Sequence, residues 1–194
     1  MRTPAGLPRV TLVDRLPHAV VRRLPRISGA PIRVRFSPGL RASQNRLATA
    51  AESHASRWPE IHAGTFVRSR HTIVDVALLA DSRELTRILL HELFHYVWAR
   101  LGNSARQSFG QVLLAERAAR SRGELGWSSE LRRQYVQLPL GRSWREYVCE
   151  AFCDTAAWHY SGIGAHGEFT LAPRFRRRRA QWFASWFSAR ALRV

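Results

Sequence analysis

Two histidines, His91 and His95, are four residues apart in the chain, and Glu92 directly follows the first. On a helix, positions i and i+4 lie one turn apart on the same face, so both imidazoles would point to one place. Two neutral imidazoles in this arrangement can bind one Zn²⁺, and the glutamate is then left to act on a water molecule. The spacing also occurs in helices without metal, so it predicts a catalytic zinc site only together with a third protein ligand.

A later acidic segment offers that ligand, because Glu146, Glu150 and Asp154 follow one another at intervals of four residues. Glu146 comes three residues after Ser143, so we interpret it as a capping residue at the start of a helix. Glu150 has apolar neighbours, among which a carboxylate is costly unless it binds a cation. We therefore expect Glu150 to be the third ligand, with Glu146 as the alternative. Asp154 is placed to accept the free N–H of a ligand imidazole.

With these residues, the chain resembles the gluzincin branch of the zinc metallopeptidases. In that branch two histidines and a later helical glutamate bind zinc, and an aspartate four residues after the glutamate orients the first histidine. The resemblance implies that His91, His95 and Glu150 hold Zn²⁺. It also implies that Glu92 is the general base and that Asp154 orients His91. The resemblance covers about residues 65–160.

Peptide hydrolysis at such a site needs a donor for the oxyanion in addition to the metal. In gluzincins a tyrosine or histidine outside the metal motifs has this role. Tyr147, near the Glu150 face, and His166, in a glycine-flanked segment, are the candidate donors here. The resemblance further implies an edge strand before the motif helix that pairs with an extended peptide, and the segment 72–79 is the candidate.

Helix signals indicate the elements that position these residues. Asp81 with Glu84 three residues later predicts a helix start, and apolar residues at helical spacing continue from there through the motif to about residue 101. Another helix is predicted behind Ser143, ending at about residue 160. A last helix is predicted from Pro173 to about residue 192.

The N-terminal half is predicted to contain a small sheet. Residues 32–36 alternate between apolar and charged side chains, and the segments 65–70 and 72–79 are rich in β-forming residues. The alanine-rich segment 40–58 instead predicts a helix. The expected fold class is therefore α+β: a zincin-like domain with a small N-terminal β-sheet, an active-site helix and a mostly helical C-terminal half.

The length and composition of the chain indicate its domain organisation and its possible partners. The chain has 194 residues, for which we expect an irregular leader at 1–30 and a single domain at 31–194. Its formal net charge is +17, and all 31 basic residues are arginines. This charge indicates either a solvated basic surface, which we favour, or nucleic-acid contact through the arginine-rich segment 174–179. No apolar run is long enough to predict a transmembrane helix or a signal peptide.

We expect a cytoplasmic zinc metallopeptidase that hydrolyses a peptide or protein substrate. Two alternatives stay open: a nucleic-acid-associated basic protein, for example a protease acting on DNA-bound proteins, and a non-catalytic module stabilised by zinc. Glu92 argues against the second, because a structural zinc site does not require it. The two cysteines, Cys149 and Cys153, are interpreted as small core residues in a reducing compartment.

Overall fold

The computed structural model describes residues 11–43, 46–49, 52 and 57–194. These residues form an α+β fold with six α-helices and seven short β-strands. The helices are α1 (His18–Val21), α2 (Ser82–Arg100), α3 (Asn103–Ala118), α4 (Trp127–Gln134), α5 (Gly141–Ser161) and α6 (Pro173–Phe187). The strands are β1 (Ile27–Ser28), β2 (Arg33–Ser37), β3 (Arg41–Ser43), β4 (Arg46–Ala48), β5 (Ala63–Phe66), β6 (His71–Asp75) and β7 (Leu192–Arg193). Within these ranges, no helix is long and apolar enough to cross a membrane.

Three strands form a sheet in the order β2-β6-β5, in which β6 is parallel to β2 and antiparallel to β5. The strand predicted at 72–79 is therefore central and not an edge, and it ends at Asp75. The Asp75 carboxylate accepts the backbone N–H groups of Leu40 and Ala77, each at 2.9 Å. The second of these bonds starts a 3₁₀ helix (Val76–Ala80), which leads into α2. β5 lies at the end of this sheet and contacts α2, and no described strand pairs with its outer edge.

The helix predicted at 40–58 is wrong in the described part of that segment, where β3 and β4 pair antiparallel. Backbone groups of this segment form hydrogen bonds with residues later in the chain. The Leu40 carbonyl accepts the Ile61 N–H at 3.0 Å, and the Ala42 N–H donates to the Pro59 carbonyl at 3.1 Å. These pairings outweigh the helix preference of alanine, which is worth less than about 1 kcal/mol per residue. Residues 44–45, 50–51 and 53–56 of the prediction lie outside the described residues.

Residues 11–30 belong to the folded domain, so the boundary predicted at residue 30 does not follow the packing. A row of four apolar side chains at intervals of four residues enters the main core; these are Leu12, Leu16, Val20 and Leu24. β1 pairs in parallel with β7 at the other end of the chain. Residues 1–10 of the predicted leader lie outside the described residues.

The start of α2 is as predicted, because the Asp81 carboxylate accepts the backbone N–H groups of Arg83 and Glu84 at 2.9 and 3.0 Å. The start of α5 differs from the prediction. It begins at Gly141, and no side chain of the described residues caps it. Glu146 therefore lies inside the helix, and the capping role predicted for it is wrong.

A buried ion network joins α3, α5 and α6. The fully buried Arg179 donates to Glu116 at 2.7–3.1 Å and to Glu124 at 2.8 Å. The Tyr147 hydroxyl donates to the same Glu124 at 2.6 Å. Because a buried charge is tolerated only when it is paired, this arginine holds the interior together and is not part of a basic surface.

Arg179→Ala is expected to lower the free energy of unfolding by about 3–5 kcal/mol, because it removes the cation of the buried Glu116 and leaves the buried Glu124 with Arg133 at 3.3 Å in place of Arg179 at 2.8 Å. The exposed neighbour Arg178 is the control, and Arg178→Ala should change stability by less than about 0.5 kcal/mol. Urea unfolding of both variants measures the difference. Equal small losses would contradict the structural role of Arg179.

Candidate metal centre

His91 and His95 lie one turn apart on α2, and Glu150 reaches them from α5. The Nε2 atoms of the two histidines are 3.1 Å apart. Glu150 Oε2 lies 3.3 Å from His91 Nε2 and 3.8 Å from His95 Nε2. A tetrahedral zinc ion with bonds of about 2.0–2.1 Å holds its ligand atoms about 3.3–3.4 Å apart. The triangle of these three atoms therefore has the size that zinc requires.

Asp154 fixes the orientation of His91. Its Oδ1 lies 2.7 Å from His91 Nδ1, and its Oδ2 accepts the backbone N–H of Ser129 at 2.9 Å. An ionised carboxylate only accepts hydrogen bonds, so Nδ1 carries a proton, and in the neutral ring the lone pair is on Nε2, which faces the triangle. Lone pairs that converge in this way are favourable only around a cation or a proton.

The pKa shifts show the same preference for positive charge. Burial works to lower the pKa of both histidines, but Asp154 and Glu150 outweigh it at His91, and Glu150 and Cys149 outweigh it at His95. The pKa of His91 lies well above its usual value, and that of His95 is raised to about 9. Burial works to raise the pKa of Glu150 and Asp154, yet the facing histidines hold both below their usual values. These shifts favour a cation at the centre of the triangle.

Glu92 lies beside the triangle. One of its carboxylate oxygens is within 4.8 Å of a ring nitrogen of His91 and of His95. Glu92 and His91 both line a cleft of about 310 Å³ between α2 and the segment that leads into β5. This carboxylate is therefore placed to exchange protons with a molecule bound in the cleft.

Glu150, and not Glu146, completes the triangle. Glu146 forms ion pairs at the surface with Arg142 at 2.6 Å and with Arg132 at 3.3 Å. Its side chain is one turn earlier on α5 and remains 34% exposed. The choice between the two glutamates, which the spacing left open, is thus made by the packing of α5 on α2.

The two predicted oxyanion donors are not in the triangle. The Tyr147 hydroxyl is bonded to the buried Glu124, so the structure does not bring Tyr147 to the site. Burial raises the pKa of Tyr147 far above its ordinary value. His166 pairs with Glu84 through Nε2 at 3.2 Å and accepts the Glu168 N–H through Nδ1 at 3.2 Å. Both ring nitrogens of His166 already have partners within the protein.

Two further residues line the cleft that the sequence did not indicate as functional. Arg87 is 3% exposed and forms ion pairs with Glu84 and Glu168. It precedes His91 by four residues, and that spacing was an available signal that both face the cleft. Trp127 is 56% exposed and comes from α4, so no local pattern links it to the motif.

Gly126 leaves room for Asp154. A Cβ atom at position 126 would lie 2.3 Å from the Asp154 carboxylate, far inside the contact distance. The backbone of Gly126 is extended, with φ at −179°, so the close approach of Asp154 is what requires glycine here.

Both cysteines contact His95 on the side away from the triangle. Nδ1 of His95 lies 3.5 Å from Cys153 Sγ and 3.7 Å from Cys149 Sγ. Cys153 is buried, as predicted, and Cys149 is partly buried. A hydrogen bond from Cys153 lowers the pKa of Cys149, and burial raises that of Cys153.

No protein-family model matches this chain, and comparisons with curated proteins and with solved structures find no significant match.

Glu150→Ala is expected to weaken zinc binding by more than the roughly 10–100-fold that loss of an outer hydrogen-bond partner costs, because it removes a ligand. Glu146→Ala and the wild type should each bind one zinc per chain. Metal analysis after dialysis and a competition titration with a chromogenic chelator measure both variants. If Glu146→Ala lost zinc and Glu150→Ala retained it, Glu146 and not Glu150 would be the ligand.

Zinc binding is expected to strengthen as pH rises from about 6.5, the ordinary pKa of histidine, to about 9, the raised pKa of His95. Zinc must displace the protons that His91 and His95 retain, so affinity should rise about tenfold per pH unit for each proton released. Calorimetry at constant pH in buffers of different ionisation enthalpy counts those protons. Heat that is independent of the buffer would contradict the raised pKa values.

Proposed function

We propose that this chain is a zinc-dependent metallopeptidase with a zincin-like domain, in which His91, His95 and Glu150 hold the metal. The observation that carries the proposal is the triangle itself. Two helices whose ligand residues are 55 positions apart in the chain meet so that an oxygen of Glu150 lies 3.3–3.8 Å from the nitrogens of both histidines. Asp154 on His91 adds a carboxylate that orients a ligand, and Glu92 beside the triangle adds a general base.

Zinc at this site would lower the pKa of a water molecule to about 7 and polarise the carbonyl of a substrate. Glu92 takes the proton of the attacking water and delivers it to the leaving amine. Asp154 keeps His91 in the tautomer that a ligand needs. A structural zinc site has no use for Glu92 or for an open cleft, so these two features favour the enzyme over a non-catalytic module.

The open edge of β5 supports an extended peptide as the substrate. Asp75 N–H donates to His62 O at 2.8 Å, which marks residues 62 and 75 as a hydrogen-bonded pair of the ladder. In antiparallel strands such pairs alternate with pairs whose backbone groups point outward. Ala63 and Thr65 occupy the outward pairs, and no other described strand pairs with them. Ala63 also lines the cleft, so a strand added here would pass His91.

The arginine-rich segment 174–179 gives less support to the nucleic-acid alternative than its sequence suggests. Arg179 is in the interior network, and Arg176 donates to the backbone oxygens of Leu171 and Phe169. Two of its five arginines are therefore engaged within the protein. No observation in the described residues favours nucleic acid over a peptide.

Glu92→Gln is expected to reduce hydrolysis of a fluorogenic peptide mixture by at least about 10²–10⁴-fold, because the amide cannot accept the water proton. Zinc stoichiometry should remain one per chain, since Glu92 is not a ligand. Glu146→Gln, outside the site, is the matched control and should keep wild-type activity. Full activity in Glu92→Gln would contradict the assigned general base.

A further inference from the structure

His95 stands between two sets of ligand atoms. Its Nε2 faces His91 and Glu150, and its Nδ1 faces the sulfur atoms of Cys153 and Cys149 at 3.5 and 3.7 Å. A tetrahedral ion with bonds of about 2.3 Å to sulfur and about 2.0–2.1 Å to nitrogen holds those atoms about 3.6 Å apart. The second set therefore also has the dimensions of a metal site.

We propose that Cys149, Cys153 and Nδ1 of His95 form a second site, for a thiophilic cation such as Cd²⁺, and that it competes with zinc for His95. The competition rests on the proposed zinc triangle. The site itself rests only on the three atoms, which all lie within 4.8 Å of one another.

The competition follows from the chemistry of imidazole. A neutral ring has one N–H and one lone pair, so it offers a metal only one of its nitrogens. With zinc on Nε2, the proton is on Nδ1 and is donated to a cysteine sulfur, which positions His95 as Asp154 positions His91. With a cation on Nδ1, the proton moves to Nε2, and zinc loses that ligand. The two thiols release their protons to solvent when they bind the cation.

The ligand types separate the cations that the two sites prefer. Thiolates prefer soft cations such as Cd²⁺, although they also bind zinc, whereas two imidazoles and a carboxylate suit zinc better than a soft cation. The chain has no other cysteine, so any metal–thiolate bond must form at this pair. Cys149 is partly buried, and His95 retains 21% of its side-chain exposure, which gives a cation access to the site.

Titration of the zinc-loaded protein with Cd²⁺ tests the proposal, with the ultraviolet band of cadmium–thiolate bonds and the release of zinc to a chromogenic chelator recorded together. The wild type should develop the band at one cadmium per chain and release one zinc in step with it. In the Cys149→Ser/Cys153→Ser variant the band should be absent, and zinc release should need at least about tenfold more cadmium. Cys149→Ser alone, at the less buried position, should weaken the band if the double variant does not fold.

The outcomes separate this proposal from the proposed function. In Glu150→Ala, which lacks a zinc ligand, the cadmium band should remain, because the thiol site does not use Glu150. Absence of the band in wild type and in Glu150→Ala would overturn the second site. A band in wild type with zinc fully retained would overturn the competition. If the zinc triangle were wrong, the Cys149→Ser/Cys153→Ser variant would bind no zinc before cadmium is added, and the band of the wild type would still report on the cysteines.

Discussion

The hydrogen bond between His91 and Asp154 joins α2 to α5 at the centre of the site, and the other features of the site are arranged around it. Asp154 is 2% exposed, so its charge requires partners, and it has them on two other helices: the His91 ring on α2 and the Ser129 N–H on α4. One carboxylate thereby joins three helices. With Asp154 bonded to His91, Glu150, one turn earlier on α5, lies within reach of both histidines.

How much of this arrangement could be predicted depends on whether the signal is local. The helix that carries His91 and His95 was predictable, because Asp81 caps its start and the apolar periodicity continues through it. The contact of Glu150 with the histidines was expected from spacing and resemblance, but it depends on helix packing, which no local pattern specifies. Tyr147 shows the limit: it lies on the helix of Glu150, yet a buried carboxylate from another segment takes its hydroxyl.

The helix predicted at 40–58 was wrong for a related reason, because it relied on the local helix preference of alanine. Alanine favours a helix only weakly, and backbone bonds to the neighbouring chain decide the conformation around Leu40 and Ala42. The arginines show the same limit for charge. A basic composition suggests a basic surface, whereas Arg179 is enclosed in the interior and Arg87 is held between two glutamates in the cleft. The planar guanidinium group, with five donors, suits this use as an internal cross-link.

The contact between Gly126 and Asp154 has an evolutionary consequence. Because a side chain at position 126 would occupy the space of the Asp154 carboxylate, a substitution there becomes tolerable only after that carboxylate is lost. The two positions should therefore change together as lineages diverge, and a lineage that loses the carboxylate is free to change both. A glycine upstream of the aspartate would then help to recognise distant relatives that the short histidine motif alone cannot distinguish from chance.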